Sequence, residues 1–147
     1  MLGKTIFALA PAALLLAGSA NAQEQTILPG YWDVTNKVSA IISQTKKEKR
    51  CITPAEVSKF MMGPSNRHYK CDYPTRVFKD GRITLKGNCA TKNGSTADIS
   101  ATGSYTPTTF NMVAQISTTY AGVALAGEAT TTAKRLSATC PVEPDAE

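Results

Sequence analysis

Few residues in this chain could do acid–base, nucleophilic or metal chemistry, and their spacing argues against most of it. The single histidine is His68, in the polar stretch Ser65-Asn66-Arg67-His68, with Asp72 nearby. A Ser–His–Asp system would use such a pair. The chain has no G-x-S-x-G elbow to present the serine, and a loop histidine is the plainer reading. Asp33, Asp72 and Asp98 could meet across a sheet as the paired carboxylates of a glycoside hydrolase. Asp33 and Asp98, however, fall on the outward parity of their strands, and Asp80 belongs to a turn. The four cysteines, Cys51, Cys71, Cys89 and Cys140, include no C-x-x-C, so neither a zinc site nor a redox dithiol is expected. Phosphate-loop and dinucleotide motifs are missing as well. The chain is therefore read as non-enzymatic, with no catalytic residue, no metal and no cofactor assigned.

The cysteines draw their meaning from the N-terminus. Lys4, the apolar run Thr5–Ala17 and Ala20-Asn21-Ala22 form the three regions of a secretory signal peptide over residues 1–22. That run falls short of the about 20 residues needed to span a bilayer. Cleavage after Ala22 would place the remaining single domain in the periplasm or outside the cell, where thiols pair as disulfides. No later segment is apolar enough to span a membrane. Residues 37–92 carry thirteen Lys/Arg against four Asp/Glu, and residues 93–147 carry two against five. A basic half suits an anionic surface or a solubilising face. The exported address disfavours nucleic acid as the partner.

The elements that would position these groups are mostly strands. Residues 23–29 read as a polar lead-in ending at Pro29-Gly30. Trp32, Val34, Val38, Ala40 and Ile42 alternate with polar residues as in a half-buried strand. Ser43–Arg50 reads as a turn and a short edge segment. Thr53-Pro54-Ala55-Glu56 is a capping box with proline at the first helical position, so a short amphipathic helix is expected near 54–62, burying Phe60 and Met61. Beyond Tyr69 the pattern is an antiparallel meander. A three-residue loop Lys79-Asp80-Gly81 pairs Val77 with Ile83, Thr75 with Leu85, Tyr73 with Gly87 and Cys71 with Cys89. The loop Lys92-Asn93-Gly94 pairs Cys89 with Ala97 and Leu85 with Ala101. The turn at Thr106–Thr109 pairs Tyr105 with Phe110 and Ala101 with Ala114. Ala121–Gly127 reads as a loop or bulged strand, with a bulge expected near Lys134-Arg135. Residues 141–147 form an acidic tail.

The register sets Cys71 opposite Cys89, which predicts that disulfide and leaves Cys51 to pair with Cys140. The fold class is mainly β: an antiparallel meander forming a strongly curved sheet or incomplete barrel, with one short helix.

The order Pro29-Gly30-Tyr31-Trp32-Asp33, Cys51-Ile52-Thr53-Pro54, then Cys71, Cys89 and Cys140, resembles a family of small exported bacterial proteins known as a domain of unknown function. That family tends to end on R-L-G-x-C, where this chain has Arg135-Leu136-Ser137-Ala138-Thr139-Cys140. The resemblance spans the chain beyond the signal peptide. It implies a periplasmic β-rich domain and brings no known activity.

Two binding functions follow as expectations. Small inward residues leave room for an apolar or lipid-like ligand on the concave face, against Trp32, Tyr105, Phe110 and Met112. Alternatively, Lys46, Lys47, Lys49 and Arg50 form a basic surface for an anionic component of the cell envelope.

Overall fold

The computed structural model describes residues 26–63 and 69–142. Residues 1–22, expected to be a signal peptide, His68 and residues 143–147 of the expected acidic tail lie outside them. The chain runs β1 (Gly30–Ser39), β2 (Ser43–Ile52), α1 (Pro54–Met61), β3 (Tyr69–Lys79), β4 (Arg82–Thr91), β5 (Thr96–Thr106), β6 (Thr109–Tyr120) and β7 (Val123–Ser137). All seven strands form one antiparallel sheet in the order β2-β1-β7-β6-β5-β4-β3. The sheet is not closed, since β2 and β3 are its two edges. Laid flat, seven strands would span about 29 Å. Yet Gly63, which follows Ile52 of one edge strand with little more than the eight-residue α1 (about 12 Å) between them, already lies against Tyr73 of the other edge strand. The sheet therefore curls, as the expected incomplete barrel requires.

Helix α1 joins strands at opposite edges, so the chain must cross the inner face between them. Its start is the capping box read from sequence. The Thr53 backbone N–H donates to Glu56 Oε2 at 2.9 Å, and the Glu56 N–H donates back to Thr53 Oγ1 at 3.3 Å. The backbone N–H and the hydroxyl of Thr53, followed by Arg50, hold the Glu56 carboxyl below its ordinary value. Phe60 stands edge-on to Phe110 with ring centroids 4.6 Å apart, and Val57 and Met61 also pack on the core. Phe60 and Met61 are half-buried rather than buried, because a two-turn helix on a curled sheet keeps one flank in solvent.

The registers of β4–β5 and β5–β6 are those expected, with Cys89 facing Ala97, Leu85 facing Ala101, Tyr105 facing Phe110 and Ala101 facing Ala114. The β3–β4 register is not. Its turn is the two-residue Asp80-Gly81, both residues left-handed (φ 52° and 72°), the twist-matched hairpin turn. Near the turn Val77 therefore pairs with Thr84 and Phe78 with Ile83, one step from the expected pairing. A bulge at Tyr73-Pro74 restores the register, so Asp72 meets Asn88 and Cys71 meets Cys89. Phe78 then points inward beside Tyr105, and Val77 points out.

Three other segments differ from the sequence reading. β2 is a full ten-residue strand whose lysines blunt an exposed edge. Ala121-Gly122 is a second tight turn (φ 49° and 77°), and β7 runs unbroken from Val123. Alanine in that conformation is uncommon, which hid the turn. The register shift between β1 and β7 leaves Leu136 unpaired, one residue beyond the expected position.

The lead-in is not merely polar, since Ile27 is fully buried at the end of the curl. The Leu28 N–H donates to the Pro107 carbonyl at 2.9 Å, and the Trp32 indole N–H donates to the Leu28 carbonyl at 3.0 Å. Arg135 clasps the Pro29 carbonyl through Nε (2.9 Å) and Nη2 (2.6 Å). Gly30 (φ 142°) lies against the Ser137 carbonyl, leaving no room for a side chain. The Pro-Gly and arginine motifs are thus two sides of one clasp.

Candidate functional site

Facing residues on paired strands share a face, so the register divides the inner face into two halves along the strands. Toward the β5–β6 turn it is filled by Trp32, Phe110, Tyr105, Ile83, Leu85 and Met112, all buried, under α1 and Ile27. The four residues expected to line a ligand space are there, packed as core. Toward the β1–β2 and β6–β7 turns the same inward parity continues through Val38, Ala129, Ile116, Leu125 and Ala97. Here Val38 is 44% exposed, and Ile116 and Leu125 are half-buried. On the same rows Ile99, facing Ile116, and Cys89, facing Ala97, are buried, so the exposure is confined to the β1, β7 and β6 side of this half.

The expected basic surface is split by the pleat of β2. Arg50 faces Trp32 and Lys46 faces Asn36, which puts both on the inner face. There Lys46 Nζ lies 2.5 Å from Glu48 Oε2, and Arg50 Nη2 lies 3.3 Å from Glu56 Oε1. Lys47 and Lys49 point outward, alongside Lys37 of β1 and Lys134 of β7. The outward basic set is thus Lys37, Lys47, Lys49 and Lys134, around Asp33.

The outer face holds a shallow groove of about 380 Å³. It runs between the row Lys86–Ser100–Gln115 and the row Asp98–Ser117–Ala126. The Gln115 amide is tied to Glu128 at 2.8 Å. Its accessible lining is mostly apolar, with Gly87, Ile99, Ile116 and Ala126 beside Lys86, Asp98, Ser100 and Ser117. Of the polar residues here sequence reading singled out Asp98 alone, as a candidate carboxylate, though the outward parity of the others was legible. Asp33, Asp72 and Asp98 are exposed on β1, β3 and β5, strands with others between them, and do not form a carboxylate pair.

Both disulfides are present, Cys71–Cys89 and Cys51–Cys140. The first is a direct cross-strand pair whose sulfurs join the core. The second, with Cα atoms 5.6 Å apart, ties edge strand β2 to the segment after β7 across the intervening β1. Two such bonds suit an oxidising, extracytoplasmic compartment. No helix among the described residues is long and apolar enough to cross a membrane.

A disulfide-stapled, open antiparallel meander with a helix over half its inner face defines the class of small β domain. Residues 27–140 match the family model for a protein of unknown function, DUF3617, and the chain belongs to that family. No curated protein and no solved structure matches.

Proposed function

We propose that this chain is an exported, non-enzymatic β protein of the periplasm or cell exterior that holds an apolar or lipid-like molecule against the open half of its inner face. The observation that carries this reading is the uncovered continuation of the core parity through Val38, Ile116 and Leu125. Apolar residues in register with a core, yet without a cover, are suited to a removable one.

The test is titration with a neutral apolar fluorophore such as N-phenyl-1-naphthylamine. Saturable binding is expected. Val38→Asp and Leu125→Asp should each weaken it about tenfold, the scale of placing a charge where apolar contact is needed. Both sites are partly exposed, so the variants should stay folded by circular dichroism. Binding that never saturates, or that both variants retain, would overturn the proposal.

A second reading is supported by the outward lysines Lys37, Lys47, Lys49 and Lys134, which give one face for an anionic envelope component. Binding through that face would weaken with salt, as screened surface charges do. Salt-independent binding would count against it.

A further inference from the structure

We infer that the β1–β2 and β6–β7 turns dock this protein on a bilayer surface containing anionic headgroups. The two turns leave the sheet at the same end, away from the core and α1. The first turn lies beside β7, since Ala40 is so near Gly127 that a Cβ there would sit 3.3 Å from the Ala40 Cβ, and the Ala121-Gly122 turn projects about 16 Å farther along the same strands. Between them they expose four large apolar side chains: Ile41 (85%), Ile42 (72%), Tyr120 (72%) and Val123 (59%). Isoleucine pairs are poor turn formers, because turns favour Gly, Asn, Asp, Ser and Pro. Such side chains at a tip need an apolar environment outside the molecule.

The shape and charge favour a bilayer over a second copy. Two projecting turns carry a few side chains, short of the about 800 Å² per partner that a stable dimer buries. A tyrosine beside aliphatic side chains suits the boundary between headgroups and acyl chains. Lys37, Lys46 and Lys47 follow three to five pairs behind the β1–β2 tip, at the depth of the headgroups. The acidic groups nearby are Glu48, paired with Lys46, Glu128, held by Gln115, and the exposed Asp98, which faces Ser117 of β6. The open half of the inner face ends at these same turns, so docking would present it to the lipid. The inference extends the proposed function, and its test needs no bound ligand.

The experiment is flotation of the full-chain product, recovered from the soluble extracytoplasmic fraction, with phosphatidylcholine vesicles. One set contains about one-third phosphatidylglycerol and the other none. Binding is expected on the anionic vesicles and should be weaker on the neutral ones. Ile41→Asp with Ile42→Asp should cut it about tenfold or more, and Lys37→Glu by a smaller factor. Ile41→Ser with Ile42→Ser, which adds no charge, should also weaken it. No binding by the unaltered protein would overturn the inference. So would full binding by both double variants, or a dimer in light scattering that these substitutions dissolve while vesicle binding is absent. Apolar-probe uptake is read separately, so failure of the ligand proposal and failure of docking are distinguishable.

Discussion

The two halves of the inner face share strands, register and parity, and differ in what lies over them. In one, Phe60 of α1 meets Phe110 and Ile27 closes the end, so Trp32 and Leu85 lose all contact with solvent. In the other, Val38, Ile116 and Leu125 stand on the same face with partial exposure. The lesson is that alternation along a strand says which side is inward and nothing about how far a cover reaches. A helix of eight residues reaches about 12 Å, far less than a sheet with strands of ten to fifteen residues. Stability is therefore assigned to one end of these strands, and the proposed binding to the other.

The largest test of that division is truncation in each half. Phe110→Ala should cost about 3–5 kcal/mol in urea denaturation, the usual loss for a large buried aromatic. Leu125→Ala, half-buried and uncovered, should cost under about 1.5 kcal/mol, half or less of a full burial. Equal losses would erase the distinction. Next, replacing both Cys51 and Cys140 by alanine should cost about 2–4 kcal/mol by releasing a closure of 89 residues.

Gly87→Ala and Gly103→Ala should each cost about 1–3 kcal/mol by overpacking. A Cβ at Gly87 would run into the Asp72 carbonyl beside the bulge, and one at Gly103 into the Asn111 carbonyl. Gly122→Ala instead meets open space and tests φ alone. The smallest effects belong to the exposed cap. Thr53→Ala should cost about 1 kcal/mol. Glu56 has a folded pKa below its ordinary 4.5, so its contribution is present above that pH and fades as pH falls through the folded value. Glu56→Gln should accordingly flatten the acid limb of stability below about pH 4.5 and leave its slope near neutrality unchanged.

Much of the architecture was legible because turn chemistry and parity agreed. Asn93-Gly94 and Pro107 set two registers correctly, and the capping box marked α1 to within a residue. The Asp80-Gly81 hairpin misled because a two-residue turn and a bulge at Tyr73-Pro74 offset each other. The Cys71–Cys89 pairing survives both arrangements. The site was less legible. Trp32, Tyr105, Phe110 and Met112 carry the same parity as Val38 and Leu125, and only the crossing of α1 makes the first group core. The basic run Lys46–Arg50 reads as one patch in sequence, while the strand pleat sends alternate residues to opposite faces.

The most direct test of the central claim is native electrospray mass spectrometry of freshly recovered protein. The account predicts an added mass that organic solvent releases as an apolar molecule, and its loss in the Val38→Asp, Leu125→Asp double variant. A ligand-free spectrum, joined to no saturable uptake of an apolar probe, would contradict it.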